Sequence, residues 1–111
     1  MNYEEVIMQL ILHGGNARGL AYEALDEAEE HKFDVADKLL EEAQQEFNEA
    51  HQYQTKLIQN QSEDMIPTFV MIHAQDHVMT AQAELQLIKR MVRQYQHQEK
   101  LEKRMEQLES K

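Results

Sequence analysis

The sequence predicts an all-α chain folded as an antiparallel, up-down-up three-helix bundle. Composition is the first observation behind this. Of the 111 residues, 41% are hydrophobic but only 6% aromatic, with no Trp, so the core must be built from Leu, Ile, Val, Met and Ala. Turn chemistry is the second: three Gly and one Pro are too few for a many-stranded sheet. Apolar residues recurring at three- and four-residue steps are the third. The chain is long enough for one domain, at the small end for an independent core, and residues 1–111 read as a single unit without an internal repeat.

The first helix is predicted over residues 3–32. Val6, Ile7, Leu10, Ile11, Ala17, Leu20, Ala21, Ala24, Leu25 and Ala28 form its apolar stripe. Gly14-Gly15 interrupts it. Each Gly costs a helix about 1 kcal/mol relative to Ala, so the pair is either a local weakness or a place where a neighbouring helix or reactive side chain comes close to the backbone.

The second helix is predicted over residues 34–61, with Asp34 as its N-cap. Its stripe is Ala36, Leu39, Leu40, Ala43, Phe47, Ala50, Leu57 and Ile58. Residues 60–66 form the longest predicted loop. The third helix is predicted over residues 67–109, with Pro67 in its first turn, where the missing N–H is no loss. At 1.5 Å per residue it spans roughly 60 Å against about 45 Å for the first. Its last part, with Tyr95, Leu101, Met105 and Leu108, overhangs the bundle and must either fray or pack on another chain.

Composition also narrows function. Without Cys there is no disulfide, thiolate metal site or cysteine nucleophile. The N-terminus lacks a basic leader region, and no apolar run approaches the roughly 20 residues of a membrane span, so a cytoplasmic protein is expected. The net charge is −10. Residues 22–50 hold eleven acidic residues and two lysines, whereas residues 89–111 hold seven basic and four acidic ones. An acidic body disfavours nucleic acid, which is bound by neutralising phosphates; it suits a solvated face that steers a basic partner.

Chemistry concentrates in the run 71–80. His73, Asp76 and His77 stand at i, i+3 and i+4 on one helical face, and Thr80 continues it. The pattern places titratable groups where a bundle would otherwise bury Leu. Three readings are open. The residues can be hydrogen-bonded surface groups. They can form a transition-metal site, two His with an Asp oxygen, although His13, His31, His51 and His97 are scattered singly. Or one His is a nucleophile supported by the other. Neutral imidazole is nucleophilic near pH 7, and attack on a phosphoryl donor forms a reactive N–P bond suited to a relay. A second imidazole can fix the tautomer or donate to phosphoryl oxygens. No organic cofactor or Walker-type loop is visible.

The run 73–80, His-Ala-Gln-Asp-His-Val-Met-Thr, resembles the active-site segment of the lactose/cellobiose IIA proteins of the bacterial sugar phosphotransferase system. Gly14-Gly15-Asn16-Ala17-Arg18, and Glu49-Ala50-His51 with Gln54-Thr55, resemble that family's first and second helices. The resemblance implies a homotrimer, hence a nine-helix bundle. It implies that His73 accepts a phosphoryl group from the phosphorylated histidine phosphocarrier protein and passes it to a cysteine of the IIB subunit. His77 would support His73. Asp76 would face the threefold axis, where three copies hold one divalent ion, Mg²⁺ being suited to carboxylates whose mutual repulsion it relieves. The membrane IIC subunit would be met only indirectly. Asn16 stands where the family often has Asp, and the tail beyond Tyr95 is longer and more charged than expected. Sugar uptake of the cellobiose, chitobiose or lactose type follows from the resemblance, with Glu49-Ala50-His51 and the Ala-rich first helix inclining toward the first two. The competing function class is a helical adaptor whose His and Asp face only binds metal and sets the oligomeric state; a metal-dependent hydrolase lacks a sufficient ligand set.

Overall fold

Helix α1 runs Tyr3–Glu29, α2 Phe33–Gln59 and α3 Phe69–Glu109 in a computed structural model that describes residues 2–62 and 66–110. Each boundary has a local cause. Asn2, in extended conformation, caps α1 by accepting from the Glu5 N–H at 3.2 Å, with Glu4 and Glu5 favourably placed in the first turn. At the other end α1 stops three residues earlier than the apolar pattern suggests. His31 adopts a left-handed conformation (φ 62°), its N–H donates to the Ala28 carbonyl at 3.0 Å, and the Lys32 N–H donates to Glu27 at 2.9 Å. That is the hydrogen-bond pattern of a Schellman turn, usually signalled by Gly. Here a His takes the position, tied by Nδ1 to Glu99 at 3.2 Å.

Two expected caps are corrected. Asp34 is not the N-cap of α2; the helix starts at Phe33 after Lys32, which makes no side-chain cap, and Asp34 lies inside the first turn, where its charge still meets the helix dipole favourably. Pro67 is not in the first turn of α3 either. Thr68 is the N-cap, accepting from the Met71 N–H at 3.2 Å, so Pro67 precedes it. A capping acceptor satisfies an orphan donor, whereas Pro only lacks one. Residues 63–65 of the predicted loop lie outside the described residues.

Side-chain contacts set the topology. Gly14 faces His77, Arg18 faces Thr80 and His31 faces Glu99, so α1 and α3 run parallel. Gln54 meets Met79, and Asp37 meets Gln96, so α2 runs against both. The order is therefore up-down-up. Alanine dominates the hairpin core: Ala17, Ala21, Ala24 and Ala28 on α1, and Ala36, Ala43 and Ala50 on α2, are fully buried. Such small side chains let the two backbones approach closely. Larger residues, Leu10, Val78, Leu85 and Val92, fill the space beside α3. The α2 stripe is right except at Ile58, which is half exposed.

The molecule measures 74 × 19 × 18 Å, long because α3 outruns its partners. The tail is helical to Glu109, past the His31–Glu99 contact, with residues 100–109 exposed throughout. No helix among the described residues is long and apolar enough to cross a membrane.

Candidate functional site

The middle of α3 divides by helical geometry. Met71, Ala74, Val78, Ala81 and Leu85 are buried, and the polar series His73, Asp76, His77, Thr80 and Glu84 occupies an adjoining face. The expectation that these polar groups replace buried Leu is corrected. Among the described residues no polar or charged side chain is fully buried; His73, Asp76 and Thr80 are exposed, and His77 and Glu84 are partly covered. Residues 74, 78 and 81 already supply the core contacts, leaving positions 73 and 76 turned away from it.

His77 is covered because α1 carries no Cβ at positions 14 and 15, so its backbone comes close to the ring. A Cβ on Gly14 would lie 3.1 Å from His77 Cδ2 and 3.4 Å from Val78 Cγ2, and one on Gly15 would lie 3.6 Å from His77 Nε2. The glycine pair therefore allows close approach, and the group that approaches is the His77 imidazole.

One turn further along α1, Arg18 completes the site. Its Nη1 lies 2.9 Å from His77 Nδ1, its Nη2 donates to the His77 carbonyl at 3.3 Å, and Nη2 also donates to the Thr80 hydroxyl. Arg18 Nε sits 3.1 Å from Glu84 Oε1, an ion pair in which the N–H is not aligned for a hydrogen bond. Thr80 in turn donates to the His77 carbonyl at 3.1 Å. A guanidinium has only donors, so His77 Nδ1 must accept and the ring proton resides on Nε2. Burial holds the His77 pKa below the ordinary imidazole value, with the Arg18 and His73 charges acting in the same direction; the Ile11 carbonyl and Glu84 oppose them. His77 is thus a neutral imidazole of fixed tautomer.

His73 stacks on it, ring centroids 6.4 Å apart and planes 18° from parallel. Among the described residues no side chain hydrogen-bonds His73. Its exposed ring is free to meet another molecule.

His13 and Asn16 go elsewhere. His13 stacks on Tyr53 at 5.9 Å and reaches Glu46 at 2.5 Å, and Asn16 Nδ2 points to the same carboxylate at 3.5 Å. Both belong to the α1–α2 face, so Asn16 does not adjust the polarity beside His77, and His13 does not add a ligand to the histidine pair. Among the described residues no group of three His, Asp or Glu side chains could hold a metal within one chain. Arg18 and Glu84 are residues of the candidate site to which sequence reasoning gave no role. Their signals were present: Arg18 is the sole Lys or Arg in α1, and Glu84 extends the polar stripe by one turn beyond Thr80.

Residues 5–96 match the family described as "PTS system, Lactose/Cellobiose specific IIA subunit". The lichenan-specific phosphotransferase enzyme IIA component of Bacillus subtilis is 48% identical over 80 residues, covering 70% of this chain and 73% of that one. The crystal structure of the cellobiose-specific enzyme IIA from Bacillus anthracis superposes with a TM-score of 0.84 at 39% identity, over 89% of this chain and 93% of that chain. The chitobiose IIA of Escherichia coli, solved in complex with HPr, gives 0.79 at 36% identity, over 89% and 98%. Matched across all three helices and the histidine face, the chain belongs to the lactose/cellobiose-specific IIA family of the phosphotransferase system.

Proposed function

We propose that this IIA component is a phosphoryl carrier and that His73 is the residue phosphorylated. The observation that carries the proposal is the contrast between two stacked imidazoles: His77 is pinned by Arg18 and the glycine backbone, while His73 is exposed and unengaged among the described residues. A lone pair of neutral His73 forms the new N–P bond as the N–P bond of the donor's phosphohistidine breaks. The donor ring leaves as neutral imidazole, gaining a proton as His73 gives one up. Discharge reverses the role: the sulfur of the IIB cysteine thiol attacks phosphorus and gives up its proton, an S–P bond forms as the His73 N–P bond breaks, and that proton lets His73 leave as neutral imidazole. The protein contributes orientation, with the neutral His77 ring beside the reacting one.

The donor is the histidine phosphocarrier protein, in keeping with the HPr complex of the Escherichia coli relative. The sugar belongs to the lichenan, cellobiose, chitobiose and lactose group named for the relatives, with selection left to the membrane IIC subunit.

Assembly as a homotrimer is supported by the face of α3 away from the core. Ile72, Met79, Leu87 and Met91 are 52, 52, 56 and 45% exposed, a large apolar strip on a chain of net charge −10, and Asp76 lies within it. One chain supplies a single carboxylate there, so a divalent ion would need Asp76 from three copies, an oxygen-only donor set suited to Mg²⁺. Such an ion would supply charge neutralisation at the seam.

The test is phosphoryl transfer from purified phosphorylated histidine phosphocarrier protein to parent and His73→Ala proteins. Acid-labile label on the parent, its discharge to IIB, and loss of label in a folded His73→Ala protein are expected. Equal labelling of the variant would remove His73 from the role, and an unlabelled parent would favour an adaptor.

A further inference from the structure

Two imidazoles one helical turn apart would both be candidate phosphoryl acceptors, and an unselective pair would divide the phosphoryl group between two positions. Resting on the reading of His73 as the carrier, we infer that Arg18 is a positioning residue that makes the pair selective, by masking His77 so that His73 alone presents a reactive nitrogen.

Both nitrogens of His77 are closed, by different means. The Nδ1 lone pair accepts from Arg18 Nη1 at 2.9 Å, so attack on phosphorus from this atom would first have to displace a charged donor. The other nitrogen carries the proton and has no lone pair to offer; it also faces the α1 backbone, 3.5 and 3.6 Å from where Cβ atoms of Gly14 and Gly15 would stand. No phosphorus atom can enter in line through that backbone. His73, with its exposed ring, has neither obstruction.

Arg18 is well placed for this because its fork is held at several points. Nη2 donates to both the His77 carbonyl and Thr80, and Nε pairs with Glu84. These contacts aim Nη1 at Nδ1 along a fixed line. A Lys would bring charge but could not span the same set of acceptors. Arg18 therefore acts through His77.

The first test needs no variant. Imidazole ¹⁵N–¹H correlation spectra of the parent protein should show His77 as the Nε2–H tautomer; an Nδ1–H signature would overturn the inference. In Arg18→Ala, and to a smaller degree in Glu84→Gln, which loosens the fork while leaving Arg18 in place, the signal should move toward a mixture of tautomers. An unchanged His77 signal in folded Arg18→Ala would overturn it too.

The second test reads the chemistry. His73→Ala should remain unlabelled by phosphorylated histidine phosphocarrier protein. In His73→Ala/Arg18→Ala, freed Nδ1 should accept the phosphoryl group, with release of the Nε2 proton, so that acid-labile label maps to the His77 peptide at about tenfold or more above the background level of His73→Ala, the scale of losing one charged hydrogen bond. If the spectra show Nδ1 freed and the double variant still takes no label, masking by Arg18 is refuted. Label on His73→Ala itself would refute instead the assignment of His73.

Discussion

Replacing each glycine of α1 by alanine separates helix propensity from packing at the site. All three lie in one helix, so each change should gain up to about 1 kcal/mol from propensity alone. What a new Cβ meets differs. At Gly19 nothing lies within 4 Å, and Gly19→Ala should keep the whole gain. At Gly15 the nearest atom is His77 Nε2 at 3.6 Å, an ordinary contact, and most of the gain should remain. At Gly14 the methyl would stand 3.1 Å from His77 Cδ2 and 3.4 Å from Val78 Cγ2. The imidazole cannot swing away cheaply, because Arg18 holds its other side. Overpacking costs of about 1–3 kcal/mol then leave Gly14→Ala between neutral and roughly 2 kcal/mol less stable than the parent. For a domain of this size about 1 kcal/mol moves Tm by around 4 °C, resolvable by far-UV circular dichroism. Melts must be compared at one protein concentration, since self-association would make Tm depend on it. Gly14→Ala should also slow phosphoryl transfer through the displaced His77 ring, whereas Gly19→Ala should not. Stabilisation of Gly14→Ala equal to that of Gly19→Ala would refute the claim that the gap in α1 exists to admit His77.

Asp76→Leu removes a carboxylate from an apolar strip, so the variant should remain associated in sedimentation equilibrium with chelator present, at least as firmly as the parent; dissociation to monomer would count against Asp76 at a shared axis. The depressed pKa of His77 gives a signed pH effect. Its stabilising contribution is fully present above the unfolded histidine value of about 6.5 and is lost as pH falls through the lower folded value, so urea midpoints should drop on acidification and drop less in His77→Gln. Leu101→Glu/Leu108→Glu, on a tail whose two leucines are 60 and 69% exposed, should leave the α1–α2 core intact and weaken association of copies, visible as a steeper concentration dependence of sedimentation.

Fold class and helix number were readable because long apolar stripes on α1 and α2 report a 3.6-residue period directly, and direction because the connections are short. Helix ends were less readable where an unusual residue performs a familiar task. His31 ends α1 in a conformation that sequence patterns assign to Gly, and Thr68 rather than Pro67 opens α3. The histidine pair was visible as spacing, but its surroundings were not. Spacing within α3 cannot show that position 73 faces outward while position 77 meets α1, because that depends on the angle at which α1 packs. For the same reason Arg18 stayed hidden. It is 59 residues from His77 in sequence, and only the parallel register of α1 and α3 brings the two together.

That register explains why a small bundle can separate stability from chemistry. On α3 the buried face, Ala74, Val78, Ala81 and Leu85, holds the three helices together with no titratable group. A second face, His77, Thr80 and Glu84, is gripped by Arg18 from α1, so the polar network at the site is also a contact between helices. The third carries Asp76 among exposed Ile72, Met79 and Leu87, open to further copies of the chain. His73 lies between the second and third faces by helical geometry, about 40° from His77 on one side and about 60° from Asp76 on the other at 100° per residue. A group at that boundary gains an oriented neighbour from its own chain without being buried by it. It also lies beside the strip where another copy would pack, so changes that alter association should reach His73 sooner than changes in the alanine core.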